Sequence, residues 1–325
     1  MRDTGAFIAD AYRLGAGPWT MTPVTRGALG QIWKLSGNGT AWAVKELLFE
    51  KDEPDVSAES ALRDAAETLG ISAPRLLSDR GGAHVVRLPE GSWAKLYDWV
   101  DGTAADPSDP EILSWCGRTL ALLHQAGEGA GGTPSGWYEE CPQDGDWARL
   151  LERVGRAGMP WAERLERFVA TTAADLGHHV SPSDPGDVVT SHLDMRPHNV
   201  LVGADGPVLL DWDNAGPVSA ERELARALYV WSGGEDLDTE AARRVVRAYR
   251  ETGGRAVVKG PGAFSMLFAT TLNYVYVQAE CAVDPTVTAE QRGFASRETA
   301  ALLACPPQPA TVLRLTEAVE AEAYR

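Results

Sequence analysis

The chain has little that would anchor or staple it from outside. Its four cysteines (Cys116, Cys141, Cys281, Cys305) are scattered over 325 residues with no Cys-x-x-Cys pair. That spacing argues against a disulfide scaffold and a cysteine zinc site, and it suits a reducing compartment. No stretch approaches the ~20 apolar residues that cross a bilayer. The opening Met1-Arg2-Asp3-Thr4-Gly5-Ala6-Phe7 has an acid near the front and no long apolar core, so a cytoplasmic protein without a secretory leader is expected. Positive charge is also scarce, with 30 Lys and Arg against 46 Asp and Glu and a net charge of −16. Such a field repels nucleic acid and anionic membrane and attracts a cationic small molecule, although an acidic surface also serves solubility alone. Neither an internal repeat nor a low-complexity tail is present.

A hydrophobic fraction of 44% over this length supports roughly two domains with packed interiors. The first hundred residues read as short strands plus one helix. Ile32–Leu35 and Ala41–Leu47 flank Gly37-Asn38-Gly39, a hairpin cue. Residues 57–69 have helical spacing, with Ser57 as cap, an inward face of Glu59, Leu62, Ala66 and Leu69, a solvated face of Ser60, Arg63 and Glu67, and Gly70 as stop. Val85-Val86 and Ala94–Val100 read as further strands of an antiparallel sheet.

After Asp101–Pro107 the character changes to long helices. Asp109-Pro110-Glu111 opens one with a cap, a proline and an acid at the positive dipole end. Further helices are expected at 147–176, broken near Gly158-Met159-Pro160, and at 219–231, 239–251, 262–282 and 308–323, with loops at 127–146 and 177–186. The fold class is α+β, as two lobes: residues 1–100, a small sheet-rich lobe ending in a hinge strand, and 101–325, a larger, mainly helical one.

One segment concentrates chemistry. Ser191-His192-Leu193-Asp194-Met195-Arg196-Pro197-His198-Asn199-Val200-Leu201 is followed, across a hairpin turning at Ala204-Asp205-Gly206, by Val208-Leu209-Leu210-Asp211-Trp212-Asp213. In this order they supply a carboxylate able to take a hydroxyl proton (Asp194) and two hard oxygen ligands suited to Mg²⁺ (Asn199, Asp211), which is what phosphoryl transfer requires. Asp213 reaches metal or substrate, or caps the next turn. His192 and His198 lack the further ligands of a zinc site and read as hydrogen-bonding residues. In the first lobe, Lys45 lies on a strand, suited to gripping phosphates. Glu59 sits on a buried helix face, where a carboxylate needs a cation, and Lys45 is the expected partner. Thr25-Arg26-Gly27-Ala28-Leu29-Gly30-Gln31 is a glycine-containing turn able to fold amides over phosphates; it is no Walker loop, since no Gly-Lys-Ser/Thr follows.

These motifs resemble the aminoglycoside phosphotransferase and choline kinase superfamily, whose members read His-Gly-Asp-x-x-x-x-Asn and then a hydrophobic strand entering Asp-Trp/Phe/Leu. The resemblance extends to Ala43-Val44-Lys45, to Glu59-Ser60-Ala61-Leu62-Arg63, to Ala73–Leu77, to the hinge-like Leu96–Gly102, to Leu120–His124 and to Glu221–Ala225. It spans roughly residues 20–230 and implies a protein-kinase-like fold, with Mg²⁺ and ATP or GTP. Asp194 is then the catalytic base, Asn199 and Asp211 are the metal ligands, and Lys45, Glu59, Gly30 and the backbone of Tyr97, Asp98, Trp99 and Val100 hold the nucleotide. Leu193 departs from the usual Gly, which alters backbone freedom but no chemical group. A protein kinase is disfavoured because no Ala-Pro-Glu segment follows Asp211.

The acceptor pocket is expected around Asp194, with candidates Asp213, Trp212, Trp231, Glu235, Asp236, Asn273, Tyr276 and Glu280. Polar residues of 272–280 either face a cavity or satisfy neighbouring loops. A cationic antibiotic such as an aminoglycoside or a cyclic cationic peptide is the first acceptor class, consistent with a resistance role. A metabolic alcohol (choline, homoserine, a sugar) is the second and predicts a smaller pocket. A nucleotide-binding module without transfer activity is the third and would need a missing Lys, Asp or Asn. The chain is expected to work as a monomer or homodimer.

Overall fold

In the computed structural model, which describes residues 2–27, 30–47 and 51–323, the chain divides into two compact units. One holds Met1–Asp106 together with His192–Gly216, the other Pro107–Ser191 together with Pro217–Arg325. The lobes expected at 1–100 and 101–325 follow sequence character. Packing instead carries the first unit through Asp106 and returns His192–Gly216 to it.

In chain order the first unit opens with helix α1 (Arg2–Ala11), strands β1 (Thr20–Gly27), β2 (Gly30–Gly37) and β3 (Thr40–Leu47), and helix α2 (Glu53–Thr68). Strands β4 (Leu76–Leu77), β5 (Val86–Arg87), β6 (Trp93–Asp98) and β7 (Thr103–Ala104) follow. The second unit supplies α3 (Pro110–Ala126), α4 (Gly136–Glu139), α5 (Asp144–Ala157), α6 (Ala162–Phe168), α7 (Ala174–Gly177) and β8 (Val188–Ser191). The chain then re-enters the first unit as the hairpin β9 (Val200–Gly203) and β10 (Gly206–Leu209). It ends with β11 (Gly216–Ser219), α8 (Ala220–Trp231), α9 (Thr239–Glu251), α10 (Ser265–Ala282), α11 (Ala289–Leu302) and α12 (Pro309–Ala323). This is an α+β fold, with antiparallel sheet in the first unit and mostly helix in the second.

The main sheet runs β1-β2-β3-β6-β4, with β5 also paired to β6. The β2–β3 turn is as expected: Asn38 (φ 52°) and Gly39 (φ 75°) give a two-residue hairpin with left-handed backbone. Gly30 answers a close approach, since a Cβ there would lie 2.0 Å from the Glu46 carbonyl oxygen of β3. One sheet face packs on α1, where Ile8, Ala9, Tyr12, Leu35, Val44, Ala94 and Leu96 form a closed core. Each fully buried Leu, Ile or Val here contributes roughly 1.5–3 kcal/mol. Strand alternation turns Lys45 and Lys95 to the opposite face.

Helix α2 begins earlier than expected. Asp52 rather than Ser57 is its cap residue, because Pro54 and the acids Glu53 and Asp55 already suit a first turn. Glu59, Leu62 and Ala66 are buried as expected, but Leu69 is exposed and Arg63 is buried. Arg63 sits inward because its guanidinium reaches the Ala73 carbonyl while also meeting Asp64 and Glu67. Helices α1, α4 and α11 were not anticipated, α4 falling within the expected loop at 127–146. In the second unit α3 starts as expected, with Asp109 accepting from the Glu111 amide, and packs on α9. Gly117 permits that contact, since a Cβ would fall 2.2 Å from the Val245 carbonyl oxygen.

Candidate active site

The first unit assembles the chemistry-bearing residues on three supports: the β3–β6 pair, α2, and the segment from His192 to Asp213. Within that segment His192 is fully buried. Its Nδ1 accepts from the Asp194 amide at 3.2 Å and its Nε2 meets the Leu210 carbonyl at 2.9 Å. This pattern assigns the neutral tautomer with hydrogen on Nε2 and gives His192 the structural role expected of it. The Asn199 carbonyl accepts from the Leu210 amide at 2.8 Å. The loop carrying Asp194 and Asn199 is thus fastened to the residue immediately before Asp211.

Asp194 is well held. Its Oδ2 accepts from the Asn199 side-chain amide at 2.9 Å, and its backbone carbonyl accepts from the same group. Arg196 Nε lies 2.7 Å from Oδ1 as an ion pair. With the Asn199 NH₂ committed to Asp194, the Asn199 side-chain oxygen is the end suited to a cation. That neutral oxygen and the Asp211 carboxylate are both hard donors of the kind a divalent cation takes. Among the described residues, no group of three or more His, Cys, Asp or Glu side chains could hold a metal ion.

Lys45 does not pair with Glu59 as expected. Its ammonium lies 2.6 Å from Asp211 Oδ1 and 2.8 Å from Asp213 Oδ2. Glu59 instead meets Lys95 at 3.0 Å and, through its other oxygen, Lys51. Strand register causes the change. Lys95 stands directly opposite Lys45 on β6, fully buried, and reaches the α2 carboxylate itself. Lys95 also contacts Asp213 Oδ1, to which the Tyr97 hydroxyl donates at 3.3 Å, and Lys51 Nζ donates to the Asp213 carbonyl at 2.5 Å. Sequence reasoning missed Lys95 and Lys51. The signal for Lys95 was in plain view: a lysine inside the apolar run Ala94–Leu96, in phase with Lys45.

Electrostatics follow from burial against opposite charge. Burial works to raise the Asp213 carboxyl, but Lys45, Lys95 and Lys51 outweigh it and hold it well below the usual carboxylate range. Burial works to lower Lys45, but Asp213 and Asp211 carry it above the usual lysine value. For Lys95 burial wins, and its ammonium is lowered despite Asp213. Lys51 is lowered to about 8, by burial first and by Lys95 and Lys45 next, against the pull of Asp213. The Tyr97 hydroxyl is pushed well up by burial and then by Asp213 and Asp211.

The remaining expected residues fall as follows. Beyond Asp98, whose carboxylate turns to Arg75, the chain leaves the β3 ladder, and Trp99 is capped by Lys34 at 4.2 Å and donates to Asp101. The turn of Thr25–Gln31 is described at both ends, while Ala28 and Leu29 lie outside the described residues. Trp212 is buried against His192 in the first unit. In the second unit, Tyr276 and Glu280 share a face of α10, with Tyr276 edge-on to Trp147 and Glu280 paired to Arg153 at 2.6 Å. Asn273 satisfies the Trp137 and Glu140 carbonyls, the loop-bracing alternative. Glu235 accepts from Tyr229, Gln308 and Thr311, and Asp236 is exposed on the turn Gly234–Asp236. Trp231, expected near the acceptor, is 1% exposed on α8, a helix buried nearly all round, its charged Arg222, Glu223 and Arg226 included.

Comparison with known proteins bears on this arrangement. The profile of the phosphotransferase enzyme family matches residues 20–261. Homoserine kinase of Beijerinckia indica is 28% identical over 193 residues, 58% of each chain. The chain spans about half the length of the curated relatives it matches. Among solved structures, spectinomycin phosphotransferase with ADP and spectinomycin aligns at a TM-score of 0.63 and 14% identity, covering 97% of each chain. Amicoumacin kinase with AMP-PNP and Ca²⁺ aligns at 0.59 and 13% identity, covering 93% of this chain and 92% of that one. At such identities these two likenesses speak for a shared fold.

Proposed function

The chain belongs to the phosphotransferase enzyme family, and on that premise we propose a small-molecule kinase that moves the γ-phosphoryl of a nucleoside triphosphate to a hydroxyl of a cationic acceptor. One observation carries the reading: Lys45 from β3 and Asp211, 166 positions apart, meet at 2.6 Å, with Asn199 fastened beside Asp211 by the Leu210 amide. Asp194 is the base that receives the acceptor proton on a carboxylate oxygen as the new O–P bond forms, the bond from the γ-phosphorus to the β,γ-bridging oxygen breaks, and the nucleoside diphosphate leaves with that electron pair. Lys45 steadies the transferring phosphates. Asn199 and Asp211 hold a divalent cation, which when bound neutralises charge on those phosphates. The backbone of Trp99 and Val100, beyond the β3–β6 ladder, suits the nucleobase.

The acceptor class we favour is a cationic antibiotic of the aminoglycoside kind, giving a resistance function. The net charge of −16 supports it, and the fold is shared with spectinomycin and amicoumacin kinases. A second reading, a metabolic alcohol kinase, is favoured by the sequence relation to a homoserine kinase. The test offers the purified protein Mg²⁺, ATP or GTP, and a panel of cationic antibiotics beside choline, homoserine and simple sugars. Turnover with an antibiotic supports the first reading, and turnover confined to a metabolite replaces it with the second. Tight nucleotide binding with no turnover across a broadened panel counts against transfer altogether.

A further inference from the structure

Six charged groups of the first unit alternate in sign along a continuous chain of contacts: Asp211, Lys45, Asp213, Lys95, Glu59, Lys51. Three cations face three carboxylates. The middle of the chain is closed to water, with side-chain exposure of 0% at Lys95, 4% at Asp213 and 5% at Glu59. Lys45 and Lys95 are directly opposed across β3 and β6 and project from the same face. Two ammonium groups so placed repel unless a carboxylate lies between them. Asp213 is that carboxylate, with Oδ2 on Lys45 and Oδ1 on Lys95. With one oxygen on each lysine, its rotation is fixed from both sides.

We propose that Lys95 is a positioning residue for Lys45, acting through Asp213, and that Glu59 serves by holding Lys95 rather than by touching Lys45. The proposal rests on the reading of Lys45 as the phosphate-binding lysine. Its consequence is an anchor. When the Asp211 carboxylate turns to other work, Lys45 keeps Asp213, whose position Lys95 sets, so the ammonium stays aimed without Asp211.

The test uses the full chain and ADP in the presence of EDTA, so that affinity reports on Lys45 without the metal site, with thermal stability measured in parallel. Lys95→Met alone leaves each of two buried carboxylates with a single cation, Asp213 with Lys45 and Glu59 with Lys51, and is expected to lower both readouts. The informative variant is Lys95→Met/Glu59→Gln, which removes one charge of each sign. It is expected to regain most of the lost stability while binding ADP about tenfold more weakly than the parent, the scale of coupling between contacting residues. Recovery of parental ADP affinity in the double variant would mean that Lys95 only neutralises Glu59, and would overturn the proposal. Lys45→Met separates the two layers. It is expected to lose at least as much ADP affinity, and parental affinity there would remove the phosphate-lysine reading and the proposal with it.

Discussion

Leu193 and Asp211 hold the same left-handed backbone, φ 63° and φ 59°, on either side of the β9–β10 hairpin. Both adjoin residues of the His192–Leu210 contact, so the strain sits where the proposed base and metal ligand are set. The glycine usual in the superfamily would adopt this conformation freely. Here a leucine does so with its side chain 2% exposed.

The two contributions at Leu193 oppose each other. Truncating a buried leucine costs about 2–5 kcal/mol, whereas removing Cβ from a left-handed position returns about 1–2 kcal/mol. Leu193→Ala therefore keeps the strain and loses the packing, while Leu193→Gly loses only the packing. Urea unfolding should show both variants destabilised, with Gly about 1 kcal/mol more stable than Ala. The ordinary order, Ala above Gly, would contradict the left-handed assignment.

Asp211→Asn removes the anion shared by Lys45 and the proposed cation while leaving Lys45 on Asp213. Titration of the variant with Mg²⁺ in the presence of ADP should show metal affinity weakened by about tenfold or more, one lost charged ligand contact being worth at least 1.4 kcal/mol. Metal-free ADP affinity should hold. Unchanged metal affinity would place the cation elsewhere.

Lys51 sets a pH dependence. Its folded-state value, lowered from 10.5 to about 8, means that between those two values the unfolded chain binds the proton and the folded chain does not. Stability linked to this group therefore rises with pH across the window from about 8 to 10.5. The melting temperature of the parent relative to Lys51→Met should climb over that range, and a flat or falling difference would show that the ammonium is not disfavoured in the folded state.

Legibility in the sequence followed how local the signal was. Asp194, Asn199 and Asp211 could be singled out because the chemistry they offer lies within one short stretch and a hairpin cue separates its halves. Glu59 was readable as a buried carboxylate from helical phase alone. Its partner was not, because the choice between Lys45 and Lys95 depends on the β3–β6 register, a long-range pairing. The resemblance marked position 193 as one where glycine is usual, but leucine itself carries no propensity for the left-handed turn, which the surrounding contacts impose. The burial of Trp231 was hidden for a related reason: its phase on α8 does not separate a surface from a core, and tertiary packing decides.

The most direct measurement follows the acceptor itself. The parent protein and Asp194→Asn are each incubated with Mg²⁺, a nucleoside triphosphate and the best acceptor from the panel, and the acceptor is weighed by mass spectrometry while ADP binding is measured alongside. The account expects the parent to add one phosphoryl group to the acceptor. It expects Asp194→Asn to do so about 10²–10⁴-fold more slowly, with ADP affinity unchanged. Equal phosphorylation by the two proteins, or nucleotide hydrolysis with the acceptor left unmodified in both, would contradict it.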